Sequence, residues 1–475
     1  MACSSNMFFE LEKYGSAPCL LLADESPLTY AHVAQACDEI RTVFSKQSES
    51  KNLVLVLCEN NPEPLVCYLA TLRSSNTVML LSASTDVTLL KHIVELYKPN
   101  FLCAPMDHPL AAASQIDHFQ YRNYVVSFTG QQQQEIHNDL GLLLSTSGST
   151  GSPKFVRLSY ENVNANAASI ASYLMLSADD CPITVLPMGY SYGLSVINSH
   201  LSVGARISLT DHSIMTKEFW QVFADHQVSS LSGVPYTYDM LRRLRVERRD
   251  LSCLQTMTQA GGKLSDELIL HFANIADDNG IRFYTMYGQT EATARISYLP
   301  PDRLRSKLGS IGIAIPGGTL NIQTDNGDEG EIVYSGPNVM MGYAQDPSDL
   351  ALGDVMHGVL ATGDIGRFDD DGFCYVTGRL KRMIKMFGNR VNLDDIDRHI
   401  TGLGAEGVSG GEDNTLRVMI TDPDDVERVK TSLVSTFRFD HRAVDVFHQS
   451  HIPRNESGKI LYSEIFGKPG NPQAE

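Results

Sequence analysis

Short apolar segments alternate with segments of helical length through the first half of the chain, and this alternation restricts the folds that the chain can adopt. The predicted elements before residue 110 are strands 19–22, 52–58, 78–82 and 101–104 and helices 30–44, 65–72 and 89–97. The alternation resumes after residue 160 with helix 161–175, strand 182–187, helix 193–203 and strand 205–209. Strands that alternate with helices of this length predict βαβ units and a largely parallel sheet.

The composition of the sequence changes beyond Leu299. Glycine and aspartate become frequent, as in 325–330, and short alternating segments at 331–335 and 373–377 predict β-hairpins. Residues 382–475 mix short strands and helices. The predicted fold class is α/β: a large N-terminal domain of mostly parallel sheets flanked by helices, with a β-rich subdomain, followed by a small α+β C-terminal domain.

The charge balance excludes some classes of partner. The 475 residues include 38 lysines and arginines against 56 aspartates and glutamates, which gives a formal net charge of −18. A chain this acidic is not expected to bind nucleic acid or anionic membranes in general. Any site for an anionic ligand must therefore supply its own local donors.

Cysteine spacing and the first residues indicate the compartment. The nine cysteines are scattered and none forms a C-x-x-C pair, so neither a disulfide framework nor a zinc site is predicted. The first residues lack a basic segment, and no apolar run reaches the roughly 18 residues that a membrane span requires. We expect a cytoplasmic protein that does not cross a membrane.

A loop rich in serine and glycine follows three leucines that end a predicted buried strand. Its members are Ser147, Gly148, Ser149, Thr150, Gly151 and Ser152, and it closes at Pro153 and Lys154. Glycines let backbone N–H groups converge on an anion, and the hydroxyls and the lysine add donors, so the loop is predicted to bind phosphate. It is not a P-loop, because Pro153 and Phe155 stand where that motif has glycine and serine or threonine. A flexible surface loop is the alternative.

The pentad Tyr287-Gly288-Gln289-Thr290-Glu291 follows a predicted strand at 282–286. Ligands bind at the carboxyl ends of parallel strands, where this pentad would place an aromatic face, a hydroxyl and a carboxylate. A strand-to-helix turn with Thr290 as N-cap is the alternative. Three further motifs, each weak alone, are Thr362-Gly363-Asp364, Gly378-Arg379-Leu380-Lys381 and Pro453–Ile460.

The order and spacing of these five motifs resemble those of the adenylate-forming superfamily, which contains acyl-CoA synthetases, adenylation domains of nonribosomal peptide synthetases and firefly luciferase. The resemblance extends over nearly the whole chain and includes segments 309–317, 330–333, 336–337, 342–343 and 385–391. It implies a large AMP-binding domain at 1–378, a hinge at 379–381 and a small mobile C-terminal domain at 382–475.

The resemblance also implies a reaction with ATP and Mg²⁺. A substrate carboxylate attacks the α-phosphorus of ATP to give an acyl-adenylate and pyrophosphate. The loop 147–151 and Lys154 are expected to hold the β- and γ-phosphates, Thr290 to contact the α-phosphate and Glu291 to help bind Mg²⁺. Lys459 is expected to bridge the carboxylate and the ribose as negative charge develops.

Other residues are implied in nucleotide and thiol binding. Tyr287 is expected to stack on adenine, and Asp364 and Arg379 to bind the ribose hydroxyls. The remaining implied nucleotide-binding positions are Gly261, Gly262 and Gly288. In the second half-reaction a thiol displaces AMP after the C-terminal domain rotates about Lys381, and Gly388 leaves room for a pantetheine arm.

Substrate choice is predicted from the residues expected to line the acid pocket, with ordinary core packing as the alternative for each. These residues are Tyr190, Tyr236, Ala260 and Met286. In amino-acid-activating relatives an aspartate near residue 190 anchors the amino group, but the segment 186–194 contains no acid. This difference disfavours an α-amino acid and favours an acyl-CoA synthetase.

The leading prediction is therefore an acid–thiol ligase whose acceptor is CoA or the phosphopantetheine of a carrier protein that acts in trans. A luciferase-like oxygenase would share the first half-reaction, and a non-catalytic nucleotide-binding protein is an alternative of another class. Three positions depart from the family pattern, since Phe155 replaces a glycine, Ser145 an aromatic residue and Tyr160 a histidine.

Overall fold

The structure is a computed structural model that describes residues 7–23, 25–47, 50–113, 118–132, 134–145, 154–324, 327–386, 389–454 and 460–467. Within these ranges the chain forms two compact units. The first contains the residues up to 319 together with 334–360, and the second contains 320–333 and the residues from 361 onward. The predicted hinge at 379–381 and the domain boundaries on either side of it remain predictions.

Strands and helices alternate through the first unit, as the sequence predicts, and become shorter in the second. The strands are β1 (Pro18–Leu22), β2 (Glu25–Thr29), β3 (Leu53–Cys58), β4 (Thr77–Ser82), β5 (Phe101–Pro105), β6 (His118–Tyr121), β7 (Tyr124–Phe128), β8 (Leu140–Ser145), β9 (Phe155–Ser159), β10 (Ile207–Ser208), β11 (Ser230–Gly233), β12 (Thr256–Gln259), β13 (Arg282–Tyr287), β14 (Ser297–Leu299), β15 (Ile313–Ala314), β16 (Thr319–Gln323), β17 (Glu329–Ser335), β18 (Gly342–Ala344), β19 (Val359–Phe368), β20 (Cys374–Arg379), β21 (Met383–Met386), β22 (Asn389–Asn392), β23 (Gly407–Glu412), β24 (Thr415–Ile420) and β25 (Val444–His448). The helices are α1 (Tyr30–Gln47), α2 (Pro62–Arg73), α3 (Val87–Tyr97), α4 (Pro109–Ala113), α5 (Tyr160–Leu174), α6 (Ser191–Ser202), α7 (Lys217–Asp225), α8 (Pro235–Arg243), α9 (Asp266–Asn279), α10 (Leu393–Gly402), α11 (Val426–Phe437) and α12 (Tyr462–Phe466).

The largest sheet of the described chain has the strand order β18-β9-β8-β4-β3-β5-β7-β6. Its central strands β8, β4, β3 and β5 run parallel, and the outer strands on both sides run antiparallel to their neighbours. All residues of β3 are buried, and Leu55, Met79 and Leu143 contribute to one continuous core. Burial on both faces is typical of a parallel sheet covered by helices.

A second sheet of the first unit has the order β11-β12-β13-β14-β15 and carries the pentad 287–291 at the end of β13. Strands β11 to β13 are parallel, and β14 and β15 are antiparallel. A third sheet has the order β10-β1-β2. The β13 end that bears the pentad is therefore the carboxyl edge of the parallel part of its sheet.

Two predicted strands are shorter than expected. Segment 182–187 forms only isolated bridges at Pro182 and Ile183, and 205–209 forms the two-residue strand β10. Pro182 and Pro187 lack the backbone N–H that a sheet ladder needs, which explains why this apolar segment does not continue as a strand.

The second unit has its own sheets and core. Its sheets have the orders β16-β17-β19-β20, β21-β22 and β23-β24-β25. The predicted hairpin segments 331–335 and 373–377 fall in β17 and β20, and β20 pairs antiparallel with β19. Helices α10 and α11 pack apolar residues such as Ile396 and Leu433 against β24 and β25.

Among the described residues no helix is long and apolar enough to cross a bilayer. The cysteines in the same part of the chain are free thiols, and all of them except Cys253 are buried.

Candidate active site

The pentad 287–291 contains the last residue of β13 and the first part of the connection to the antiparallel strand β14. Tyr287 pairs with Ser297 across the two strands, and residues Thr290–Ala292 form a single 3-10 turn. A Cβ atom on Gly288 would lie 1.8 Å from the carbonyl oxygen of Ala294, so only glycine fits at this close approach. The alternative of a strand-to-helix turn capped by Thr290 is wrong, because the chain returns as a strand.

The segment before β18 holds this connection in place. The side-chain amide of Asn338 donates to the carbonyl oxygens of Ala292 at 2.8 Å and Arg295 at 2.9 Å. The hydroxyl of Thr293 donates to the Asn338 carbonyl at 2.7 Å, and the Met340 N–H donates to the Glu291 carbonyl at 2.9 Å. Asn338 and Met340 thus anchor the turn through four hydrogen bonds, which fixes where the Glu291 side chain starts.

Tyr343 lies between Lys154 and Glu291. Strand β18 pairs with β9 so that Tyr343 faces Val156, and Lys154 immediately precedes β9. The Lys154 Nζ atom lies 3.3 Å from the centroid of the Tyr343 ring, and the Tyr343 hydroxyl donates to Glu291 Oε1 at 2.9 Å. Burial, together with the Glu291 carboxylate, raises the pKa of Tyr343, so the hydroxyl stays protonated and remains a donor.

Thr290 connects the pentad to the start of helix α6. Its hydroxyl lies 3.1 Å from the Ser191 hydroxyl, so the two form a hydrogen bond. The residue before Ser191 is Tyr190, which belongs to the predicted acid pocket. The pentad and the predicted pocket therefore meet at the first turn of α6.

Three of the four predicted pocket residues lie around this junction. A Cβ atom on Gly261 would lie 2.7 Å from the Tyr190 hydroxyl, and Gly261 has φ +83°. Ala260 and Met286 are buried at the carboxyl ends of adjacent strands β12 and β13. The fourth, Tyr236 on α8, is 60% exposed. Burial raises the pKa of Tyr190 to about 12, so its hydroxyl is uncharged.

In the second unit, the predicted ribose-binding pair is formed across one hairpin. Asp364 on β19 faces Arg379 on β20, and the Arg379 Nε atom donates to Asp364 Oδ1 at 3.0 Å. Asp364 is buried, whereas most of the Arg379 side chain is exposed. The structure therefore brings these two residues together, and their role in binding ribose remains a prediction.

Several predicted site residues lie outside the described ranges, and their predicted roles stay predictions. They are Ser147, Gly148, Ser149, Thr150, Gly151, Gly388, Lys459 and the side chain of Lys381. Gly262 is described and exposed, and a Cβ atom there would lie 3.1 Å from the Pro235 ring.

Two of the three departures from the family pattern have structural explanations. Phe155 is buried in the core of the largest sheet, with its ring centroid 5.2 Å from that of Tyr97. The Tyr160 hydroxyl donates to the Asn76 carbonyl at 2.8 Å, and its ring fills the space beside Gly141. Both aromatic residues thus contribute to packing. Ser145 is the last residue of β8.

The donor set suits a magnesium ion that is shared with a nucleotide. Among the described residues no group of three or more histidine, cysteine, aspartate or glutamate side chains could hold a metal ion alone. Mg²⁺ commonly binds one or two carboxylates and completes its shell with phosphates and water. Glu291, whose carboxylate is positioned by Tyr343, fits that requirement.

Comparison with known proteins identifies the family of this chain. The family model for the AMP-binding enzyme matches residues 9–344, which is more than half of the chain. The chain belongs to the AMP-binding enzyme family. The sequence-based assignment to the adenylate-forming superfamily is therefore confirmed, and the chain is an enzyme of that family.

Two curated relatives of this AMP-binding enzyme are 2-succinylbenzoate–CoA ligases. One, from Geobacillus sp. (strain WCH70), is 31% identical over 292 residues, which are 60% of this chain and 58% of the relative. The other, from Bacillus cytotoxicus, is 30% identical over 349 residues, which are 68% of this chain and 69% of the relative. The match to the first thus spans less than two thirds of that protein.

Solved structures share the fold over nearly the whole chain. O-succinylbenzoate coenzyme A synthetase (MenE) of Bacillus subtilis in complex with AMP has a TM-score of 0.76 and 21% identity, covering 97% of this chain and 98% of that chain. ATP-bound MatB of Rhodopseudomonas palustris has a TM-score of 0.74 and 20% identity, covering 97% and 99%. The predicted fold class is confirmed.

Sequence reasoning gave Tyr343 no role and did not single out Ser191 or Arg295. Tyr343 was part of a family segment, but its contact with Glu291 joins residues 52 positions apart. Arg295 had a detectable signal, because it is a basic residue between the pentad and the apolar strand β14.

Proposed function

We propose that this AMP-binding enzyme is an acid–CoA ligase that works in two steps. In the first, a carboxylate oxygen of the acid forms a bond to the α-phosphorus of ATP, and the bond from that phosphorus to the bridging oxygen breaks. Pyrophosphate leaves with the electron pair of that bond. In the second, the CoA sulfur loses its proton and forms a bond to the acyl carbon, the bond from that carbon to the phosphate oxygen breaks, and AMP leaves with the electron pair of that bond.

The first step brings two anions together, so the residues that neutralise and orient them decide the rate. Lys154 would neutralise phosphate charge, and Tyr343 would hold the Glu291 carboxylate in position for Mg²⁺, which when bound supplies a Lewis acid for the phosphates. The Thr290 hydroxyl, held by Ser191, would donate to the α-phosphate. Asp364 and Arg379 would bind the ribose hydroxyls.

The observation that carries the proposal is that Lys154 and Glu291 both contact the same tyrosine, Tyr343. A lysine and a carboxylate that share a neutral aromatic neighbour can bind phosphate and metal at adjacent points without forming an ion pair with each other. The names of the curated relatives favour CoA over a carrier protein as the acceptor and make 2-succinylbenzoate the first acid to test.

A screen of carboxylic acids tests this function. With ATP and Mg²⁺, acid-dependent pyrophosphate release should appear for some acids, and added CoA should yield the thioester and AMP in equal amounts. Thioester formation only with a holo carrier protein would replace CoA as acceptor, and light emission would indicate an oxygenase. Nucleotide binding without pyrophosphate release from any acid would support a non-catalytic binding protein.

We expect Tyr343→Phe to slow adenylate formation about tenfold and to raise the Mg²⁺ concentration needed for half-maximal rate. The ring would stay beside Lys154, but Glu291 would lose a donor, and a hydrogen bond to a charged group contributes roughly 1.5–3 kcal/mol. Pyrophosphate release measured over a Mg²⁺ series gives both quantities. Tyr160→Phe, which removes a hydroxyl bonded to the Asn76 carbonyl, is the matched control and should leave both unchanged. Equal effects in the two variants would remove Tyr343 from metal binding.

Asp364→Asn should raise the KM for ATP roughly tenfold with a smaller change in kcat, because it weakens hydrogen bonds made by ground state and transition state alike. Steady-state kinetics over an ATP series measure this split. Asp370→Asn lies in the exposed turn of the same hairpin and serves as control. A loss confined to kcat would contradict ribose binding by Asp364.

We also propose the cytoplasm as the compartment. ATP and CoA are available there, and free thiols persist in a reducing environment. Fractionation of cells that express the tagged chain, followed by immunoblotting, would test this location.

A further inference from the structure

A buried arginine lies next to the predicted acid pocket. Arg295, two residues before β14, is only 1% exposed. Its carbonyl oxygen accepts hydrogen bonds from the side-chain amides of Asn338 at 2.9 Å and Asn166 at 3.4 Å. The backbone of Arg295 is therefore fixed, and its side chain must point into the protein.

The guanidinium group has weak partners. Its Nη1 lies 2.6 Å from the Met286 Sδ atom, its Nη2 donates to the Ser195 hydroxyl at 3.2 Å, and its carbon lies 4.1 Å from the centroid of the Tyr192 ring. Its buried Nε has no hydrogen-bond partner in the described part of the chain. A thioether is a weak acceptor, so most of the donors of Arg295 remain poorly satisfied.

Two other buried arginines show how this chain normally satisfies such a group. The Arg157 guanidinium donates to four backbone carbonyl oxygens, and Arg382 forms ion pairs with Asp394 and Asp397. For Arg295 the described residues supply neither arrangement. Because arginine stays protonated and an unpaired buried charge is costly, a partner from outside the chain would relieve this cost.

The surrounding tyrosines do not supply the missing negative charge. Burial raises the pKa of Tyr173, Tyr190 and Tyr192, so all three hydroxyls are neutral near pH 7. The positive charge of Arg295 only partly offsets this effect. An anionic ligand group would therefore meet one cation and no competing anion from these tyrosines.

Arg295 also contacts one residue that is predicted to line the acid pocket and a neighbour of a second one. Met286, which contacts Nη1, is one of its predicted lining residues, and Tyr192 lies beside another, Tyr190, with ring centroids 6.3 Å apart. Methionine is unbranched and has three rotatable bonds, so Met286 can move aside for a ligand group. An acid that enters this pocket would reach the guanidinium with the end remote from its reacting carboxylate.

We propose that Arg295 binds a second carboxylate of the acid substrate, so that the enzyme selects dicarboxylic acids. This inference rests on the proposed function, because it requires that the pocket holds the acid. The planar fork of an arginine matches a carboxylate with two parallel hydrogen bonds, which no residue described around Arg295 now provides.

Matched pairs of acids that differ only in the second carboxylate test the inference. We would measure kcat and KM for pyrophosphate release with adipate against pentanoate, suberate against heptanoate, and phenylbutanoic acid with and without an ortho carboxylate. The wild type should favour the dicarboxylic member of at least one pair by roughly ten- to hundredfold in kcat/KM, the range for a hydrogen bond to a charged group. The difference should lie mainly in KM, because the second carboxylate is remote from the reacting atoms.

Arg295→Met should abolish this preference by raising the KM for the dicarboxylic acid while leaving the monocarboxylic acid nearly unchanged. Replacement of a buried charge by an apolar side chain of similar length is often tolerated, so the variant is expected to fold. Arg295→Lys keeps the charge without the fork and should retain part of the preference. Arg282→Met is the control on the same unit, because Arg282 donates to Leu174 and Thr256 at the other end of β13.

The outcomes separate the inference from the proposed function. Pyrophosphate release with no preference in the wild type, or a preference that survives Arg295→Met, would overturn the role of Arg295 and leave the ligase function intact. An equal loss for both members of a pair in Arg295→Met would assign Arg295 to packing alone. Absence of release with every acid would instead contradict the proposed function itself.

Discussion

Replacement of Lys459 by alanine is expected to reduce adenylate formation at least ~10²-fold, since one preorganised donor to a developing anion contributes roughly 2.7–4 kcal/mol. The superfamily resemblance places this lysine between the attacking carboxylate and the ribose. Lys154 and Glu291 are proposed to bind the phosphates and the metal, so neither would replace a donor at the carboxylate. Single-turnover pyrophosphate release with saturating ATP and acid measures the effect directly.

The second half-reaction is the internal control for Lys459. When acyl-adenylate and CoA are supplied directly, thioester formation by Lys459→Ala should proceed near the wild-type rate, because the superfamily uses this lysine only in the first step. Lys430→Ala, on helix α11 of the same unit, tests for a general effect of losing a lysine there. If adenylation is unchanged, Lys459 has no part in the chemistry. If both steps are lost equally, the substitution has disturbed the whole C-terminal part.

The sequence predicts the parts of the fold that depend on local pattern. The apolar segment that becomes β3 is buried along its whole length, and the pentad after β13 lies at the carboxyl edge of parallel strands. The prediction of a strand at 182–187 is wrong, because the apolar residues of this segment lie between two prolines. Apolar composition alone predicts a strand in such a segment, whereas the missing backbone N–H groups of the prolines decide its structure.

The parts of the site that the sequence could not predict depend on long-range pairing. Tyr343 reaches Lys154 and Glu291 because β18 pairs with β9 and the preceding segment anchors the pentad. No periodicity around residue 343 encodes that register, which is set by the packing of the whole sheet. The charge of Arg295 is visible in the sequence, but the absence of an ion-pair partner among the described residues can be seen only in three dimensions.

Arg157→Met should destabilise the first unit by about 3 kcal/mol or more, because each buried polar group left without a partner costs roughly 1–3 kcal/mol. Arg157 is 0% exposed, and its guanidinium donates to the carbonyl oxygens of Met341 at 3.1 Å, Tyr343 at 3.1 Å, Gly353 at 3.3 Å and Leu352. The Met341 oxygen also accepts a hydrogen bond from the N–H of Val355 at 2.9 Å. Loss of the guanidinium therefore removes hydrogen-bond donors from backbone carbonyl groups in the segment that carries Tyr343.

The fluorescence of Trp220 allows the stability of the first unit to be measured by itself. It is the single tryptophan of the chain and lies buried in helix α7 of the first unit, so its fluorescence in a urea titration follows that unit without a signal from the second. Arg282→Met, which removes two hydrogen bonds from a partly buried arginine, should shift the midpoint less. Arg157→Lys keeps the charge but has three donors on one atom, too few and too close together to serve four carbonyl groups, so it should resemble Arg157→Met. A midpoint for Arg157→Met at or above that of Arg282→Met would mean that the sheet pairing of β18 with β9, rather than the guanidinium, holds Tyr343 against Lys154 and Glu291.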